Sequence, residues 1–187
     1  MTTDEELMLD ARLGVRDAFE QLFERYRGPI WRFFRRRVPD PARAEELAQD
    51  TFVAVLQGAA RYEPRAPFRS YLFGIAYNLL LAERRKSAHQ AVESFDGDPP
   101  AASAGDPEAE MSVRSALARL DTGDRDILML REYEQLSYQE IAQLRKLPLN
   151  TVRSRLFRAR LALKELLERP VRVPMQVTPV KVSEGDR

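Results

Sequence analysis

The chain of 187 residues has no cysteine, one histidine and 8 glycines. The first absence excludes disulfides, thiolate nucleophiles and cysteine-based metal sites. The lone imidazole, His89, follows "ERRKS" and reads as a solvated polar residue rather than a ligand. No glycine-rich stretch has the spacing that cradles phosphates, so only carboxylates remain for acid–base or metal chemistry. The pairs Glu45 with Glu46 and Asp96 with Asp98 are adjacent or loop-borne, and both read as solvated. The composition thus argues against an enzyme and implies no cofactor. No apolar run approaches the roughly 18 residues of a membrane span, and "MTTDEELMLDAR" does not place an apolar segment after a basic one. A soluble, cytoplasmic protein is expected.

What the chain does have is charge, unevenly placed. The formal net charge is only +1, yet Arg145 to Lys164 holds Arg145, Lys146, Arg153, Arg155, Arg158, Arg160 and Lys164 without one acid. Conversely, Gln90 to Glu110 holds Glu93, Asp96, Asp98, Asp106, Glu108 and Glu110 without one base. Such asymmetry points to a polyanion as the partner of particular surfaces.

Nearly every periodic segment repeats at the helical spacing, which predicts an all-α chain. A helix is expected around Asp4 to Leu13, ended by Gly14, followed by one through "DAFEQLFERYRGPIWRFFRRRV" that Pro29 should kink or restart. Asp40 suits an N-cap and Pro41 a first helical position, and after the loop "RYEPRAP" a helix runs from Phe68 to about Lys86. Residues 90–107 read as a flexible acidic linker between two small helical domains, 1–89 and 108–169. In the tail, 170–187, Pro170, Pro174 and Pro179 forbid a continuous helix. Disorder is expected there, with a strand added to a partner's sheet as the alternative.

Within the second domain, Ser137 and Glu140 form a capping box, with Leu136 positioned to staple against Ile141. A short helix from Tyr138 to about Arg145, a turn at Lys146 and Leu147, and a longer helix opened by Pro148 make a helix-turn-helix. Lys146 stands where a glycine is often found. In the longer helix Val152, Leu156, Ala159 and Leu163 share one face, so Phe157 points to the other, among Arg153, Ser154 and Arg158. Because the segment has no acid of its own, its bases repel one another unless a phosphate backbone relieves them. A helical hairpin with a solvated basic face is the alternative. In the first half, Ala44, Ala48, Thr51 and Val55 share a face of their helix, while Gln49, Asp50 and Val53 lie away from it.

The blocks "AFEQLFERYRGPIWRFFRRRV", "ARAEELAQDTFVAVLQ", "PFRSYLFGIAYNLLLAERRK", "LDTGDRDILMLREYEQLSYQEIAQL" and "LPLNTVRSRLFRARLALKELL" occur in this order over Leu7 to Glu168. Together they resemble a bacterial RNA polymerase sigma factor of the extracytoplasmic-function (ECF) subfamily of the sigma-70 family. The resemblance implies regions two and four, a region-2 helical bundle and a region-4 helix-turn-helix, joined by the acidic linker. It implies partners as well: core RNA polymerase, through the clamp coiled coil of its largest subunit and its flap, promoter DNA, and an anti-sigma factor.

By the same resemblance, Gln49, Asp50 and Val53 contact core polymerase. Tyr62, Arg65, Asn78, Arg84, Arg85 and Lys86 read and melt the minus-ten element, where bases stack on rings and basic groups follow the backbone. At the minus-thirty-five element Ser154, Phe157 and Arg158 meet bases, and Arg153 and Arg155 meet phosphates. Tyr71 stands where many relatives carry tryptophan, and Glu83 where many carry aspartate. Arg35, Arg36 and Arg37 read as a solvated helix end or as a further contact with polymerase or DNA. Two other functions remain open: a helix-turn-helix regulator acting without core polymerase, and a sigma-like decoy for an anti-sigma protein.

Overall fold

The computed structural model describes residues 2–91 and 107–168. The expected linker, but for its two ends, and the tail lie outside the described residues, as does the side chain of His89. Among the described residues every regular element is helical: α1 (Asp4–Arg12), α2 (Arg16–Arg35), α3 (Pro41–Gly58), a 3-10 turn (Ala59–Arg61), α4 (Phe68–Ala91), α5 (Pro107–Ala118), α6 (Thr122–Glu132), α7 (Tyr138–Arg145) and α8 (Leu149–Glu168). The chain is all-α, as its periodicity predicts.

Local chemistry sets the boundaries. Thr3 and Glu6 cap α1 reciprocally, as Ser137 and Glu140 cap α7. Asp40 accepts from the Ala42 N–H at 3.0 Å, with Pro41 opening α3. Gly14 ends α1 at φ +89°, where the Val15 N–H reaches back to the Asp10 carbonyl at 3.0 Å. The same closure ends α7, with the Leu147 N–H on the Ala142 carbonyl at 2.9 Å, but there Lys146 takes the left-handed conformation, φ 51° and ψ 46°.

Two expectations need correction. Of the two outcomes expected at Pro29, a kink or a restart, the restart does not occur: α2 runs through it to Arg35. The lost hydrogen bond costs about 3 kcal/mol, and the burial of Tyr26, Ile30, Phe33 and Phe34 on both sides of Pro29 offsets it. The fourth helix also continues past Lys86 to Ala91.

Helices α1–α4 pack around an aromatic core. Phe33 lies against Phe34 and Phe73, with ring centroids at 5.0 and 5.7 Å, and Tyr26 and Tyr62 both meet Phe68. Helices α5, α6 and α7 pack on α8, whose Val152, Leu156 and Ala159 are buried. Apolar residues of both groups join in one hydrophobic cluster.

Replacing Lys146 by glycine should raise stability by about 0.5–1 kcal/mol, because relief of the left-handed strain exceeds glycine's entropy cost. Valine at the same site should lower it; the urea midpoints of the two variants measure the difference. Phe33→Ala should cost about 3–5 kcal/mol, whereas Trp31→Ala, at a ring 44% exposed, should cost far less on the same denaturation curve.

Candidate nucleic-acid and polymerase interfaces

The outer face of α8 is built as its pattern predicts. Phe157 is 70% exposed, Arg153, Ser154 and Arg158 are exposed beside it, and the opposite face is buried. The Ser154 hydroxyl donates to the Thr151 carbonyl at 3.0 Å, and Arg153 donates to the Asn150 side chain at 3.3 Å. The bases of the segment are not all in want of an anion, however. Arg155 lies 3.7 Å from Asp124 on α6, Arg160 donates to Glu132 at 2.7 Å, Lys164 pairs with Glu168, and Arg145 with Asp126. The expected mutual repulsion is therefore relieved largely by acids of α6, a helix earlier in the chain. Arg153 and Arg158 have no acidic partner among the described residues.

The residues expected at the minus-ten element do not form one surface. Arg65 is exposed on the loop before α4, where it pairs with Glu63, and Asn78, Arg85 and Lys86 are exposed along α4. Tyr62 is a correction. Its ring is 2% exposed, packed edge-on to Phe68 and Tyr71, so it offers no face to a base. Burial pushes its hydroxyl up to about 12.

Arg84 turns away from Asn78 and Arg85 onto the Tyr77 side of α4, seven positions along the helix from that ring. There it donates twice to the Asp126 carboxylate, at 2.7 and 3.0 Å, while the Tyr77 hydroxyl and Arg145 donate to the same group at 3.2 and 3.0 Å. Burial pushes the Asp126 carboxyl up, but the Arg84 hydrogen bonds and the charges of Arg84, Arg145 and Arg37 outweigh it and hold the group below the usual carboxylate range. Glu83 is also committed, 2.7 Å from Arg43 on α3.

Gln49, Asp50 and Val53 are exposed on α3, with Leu56 continuing the stripe. Beside them α2 and α3 enclose a groove of about 530 Å³ lined by Phe23, Arg27, Trp31, Glu45, Gln49 and Phe52, among others. Phe23 meets Phe52 edge-on at 4.9 Å, and Trp31 stands 44% exposed at the groove. Sequence reasoning missed this apolar element because Trp31 and Phe23 come from a different helix than Gln49.

Within the Arg35–Arg37 run, Arg36 and Arg37 are not a solvated helix end. Arg36 and Arg37 both donate to Glu134 at 3.0 Å, and the Arg37 side chain is 1% exposed. No pattern local to α2 signals this pairing, since Glu134 lies about a hundred positions away.

Two family models match the chain. The Sigma-70 region 2 model matches residues 22–90, and that of Sigma-70, region 4 matches residues 110–163. The RNA polymerase sigma-H factor of Pseudomonas aeruginosa is 31% identical over 181 residues, covering 88% of this chain and 94% of that protein. The ECF RNA polymerase sigma factor SigM of Mycobacterium tuberculosis is 30% identical over 166 residues, covering 88% and 85%. Among solved structures, the sigma factor RpoE of Bartonella quintana, in complex with the anti-sigma factor NepR, superposes with a TM-score of 0.72 at 25% identity, covering 82% of this chain and 98% of that one. With both regions matched in order and relatives aligned over nearly their whole length, the chain belongs to the ECF subfamily of the sigma-70 family of RNA polymerase sigma factors.

Proposed function

We propose that the chain is an alternative sigma factor that binds core RNA polymerase, directs it to promoters and performs no chemistry of its own. The observation that carries this reading is Phe157, held 70% exposed between Arg153 and Arg158 on a helix whose other face is buried. One exposed ring is ordinary on a protein surface, but a ring flanked by two arginines that lack an acidic partner among the described residues matches a major groove, which supplies thymine methyls for the ring and guanine edges for arginine. In this assignment Ser154, Phe157 and Arg158 read the minus-thirty-five element while Arg153 holds the backbone. Arg155, drawn toward Asp124, is left the lesser part.

Domain 1–89 carries the minus-ten surface, made of Arg65, Asn78, Arg85 and Lys86, with Arg84 joining it once released from Asp126. Domain 108–169 carries the helix-turn-helix. Core polymerase docks on α3 through Gln49, Asp50 and Val53, and the adjoining groove lets Trp31 and Phe23 take part, since large aromatic anchors supply most of the energy of such contacts. An anti-sigma protein is the expected inhibitor, supported by the partner present with the Bartonella quintana relative. No described helix is long and apolar enough to cross a membrane, which is consistent with work in the cytoplasm.

Transcription by purified core polymerase on a promoter library tests the whole reading, which fails if no template gives promoter-specific initiation. Arg158→Ala should change preference at one upstream base, a discrimination worth about 1–3 kcal/mol, with core affinity unchanged. Phe157→Ala should impair upstream recognition while moving the unfolding midpoint by no more than an ordinary surface substitution, about 0.5 kcal/mol. Trp31→Ala should do the reverse, weakening core binding in a fluorescence titration and leaving promoter preference intact.

A further inference from the structure

Between the buried rings of Tyr62 and Phe68 the chain makes a short loop, Glu63 to Pro67, that lies mostly at the surface and carries Arg65. Pro64 and Pro67 restrict its backbone, and the Arg65 N–H turns back onto the Glu63 carbonyl at 2.8 Å. Its two ends are gripped by α1. At the entry, the Arg12 guanidinium donates to the Tyr62 carbonyl at 3.3 Å. At the exit, the Glu5 carboxylate accepts from the Phe68 N–H at 2.7 Å. Pro67, the residue before α4, has no side-chain oxygen with which to cap that helix, so the carboxylate of α1 supplies the cap.

Glu5 and Arg12 stand two turns apart on α1 and therefore share a face, with Met8 buried between them. The helix itself is firmly seated. Leu7 and Met8 are 3% and 0% exposed, and Asp4 pairs with Arg25 and accepts from the Tyr26 hydroxyl on α2. These contacts hold α1 independently of Glu5 and Arg12, whose polar bonds go to the loop. All of α1 precedes residues 22–90, the part that matches Sigma-70 region 2.

We propose that α1 braces the minus-ten loop, with Glu5 and Arg12 as positioning residues that hold Arg65 and its neighbours in the form that receives an unstacked base. The proposal rests on the reading of Arg65 as a minus-ten contact, and extends it to two residues that act through the loop. A loop already fixed at both ends loses less conformational entropy when a base enters it. That saving matters because taking the base out of its stack is itself unfavourable.

The test uses the full chain assembled with core polymerase, on a promoter drawn from the library with the parent. Transcripts are compared from pairs of templates that differ at one minus-ten base. A template altered at the base the loop receives gains nothing from the loop. Loosening the loop therefore lowers output from the unaltered template alone, whereas loss of folded protein lowers both alike and leaves their ratio in place. Arg65→Ala identifies the informative base as the one whose ratio it collapses.

At that base Glu5→Ala should cut the ratio about fivefold, the population shift that follows loss of a helix cap. Arg12→Ala should cut it in the same direction, and the ratios at the minus-thirty-five element should not move. Glu5→Gln keeps an acceptor oxygen at the same reach and Arg12→Lys keeps a donor, so both should retain most of the parent's ratio. Should Glu5→Ala fail to fold, Arg12→Ala decides alone, since Arg12 is exposed. Unchanged ratios, or an equal loss at both promoter elements, would make α1 a structural helix only and overturn the brace. If Arg65→Ala moves no ratio, the loop does not read the element and the proposal falls with it, while promoter-specific transcription by the parent still upholds the sigma-factor assignment.

Discussion

Phe33 is the point on which the rest of the structure turns. Its ring is fully buried against Phe34 and Phe73, so it fixes α2 to α4. One helical turn further on, the Arg37 guanidinium lies 4.0 Å over the same ring and donates to the Phe33 carbonyl at 2.9 Å. A guanidinium is weakly hydrated and stacks on aromatic faces, which is why arginine can occupy a site that lysine would leave. Burial pulls the Arg37 group below its ordinary value, and Glu134 opposes that pull. The aromatic core thus holds the cation in place, and the cation holds the second helical group.

Using charge at this junction has a physical consequence. An apolar interface of similar area would be more stable closed, but when opened it would expose greasy surface to water and risk aggregation. Arginines and carboxylates lose much of their attraction on closing to desolvation, and both recover full hydration on opening.

How much of this was legible depended on sequence distance. Features closed within one or two turns were readable: the Ser137–Glu140 box, the Asp40 cap, the end of α1 at Gly14, and the apolar stripe of α8 that forces Phe157 outward. The family blocks placed both helical groups. Features closed across the chain were not. The first N–H of α4, on Phe68, is capped by Glu5 of α1 at 2.7 Å, and nothing near Phe68 signals it. Tyr62 sits in a polar loop segment that looks solvated, and only the approach of α4 reveals that Phe68 and Tyr71 enclose it. Arg36 and Arg37, just past the end of α2, look like surface because their counter-charge, Glu134, lies in the turn after α6.

The same long-range pairing sharpens the recognition helix. Counted as a segment, its bases look equivalent and all in need of phosphate. Folded, they divide: Arg145, Arg155 and Arg160 reach back to Asp126, Asp124 and Glu132, and so help fix α7 and α8 against α6. Pairs between helices hold a reading element rigid, and rigidity reduces the side-chain entropy lost on binding. Arg153 and Arg158 are left on either side of Phe157 with no acidic partner among the described residues. The acids of α6 therefore sort the arginines of α8 into two that brace the helix and two that flank the exposed ring.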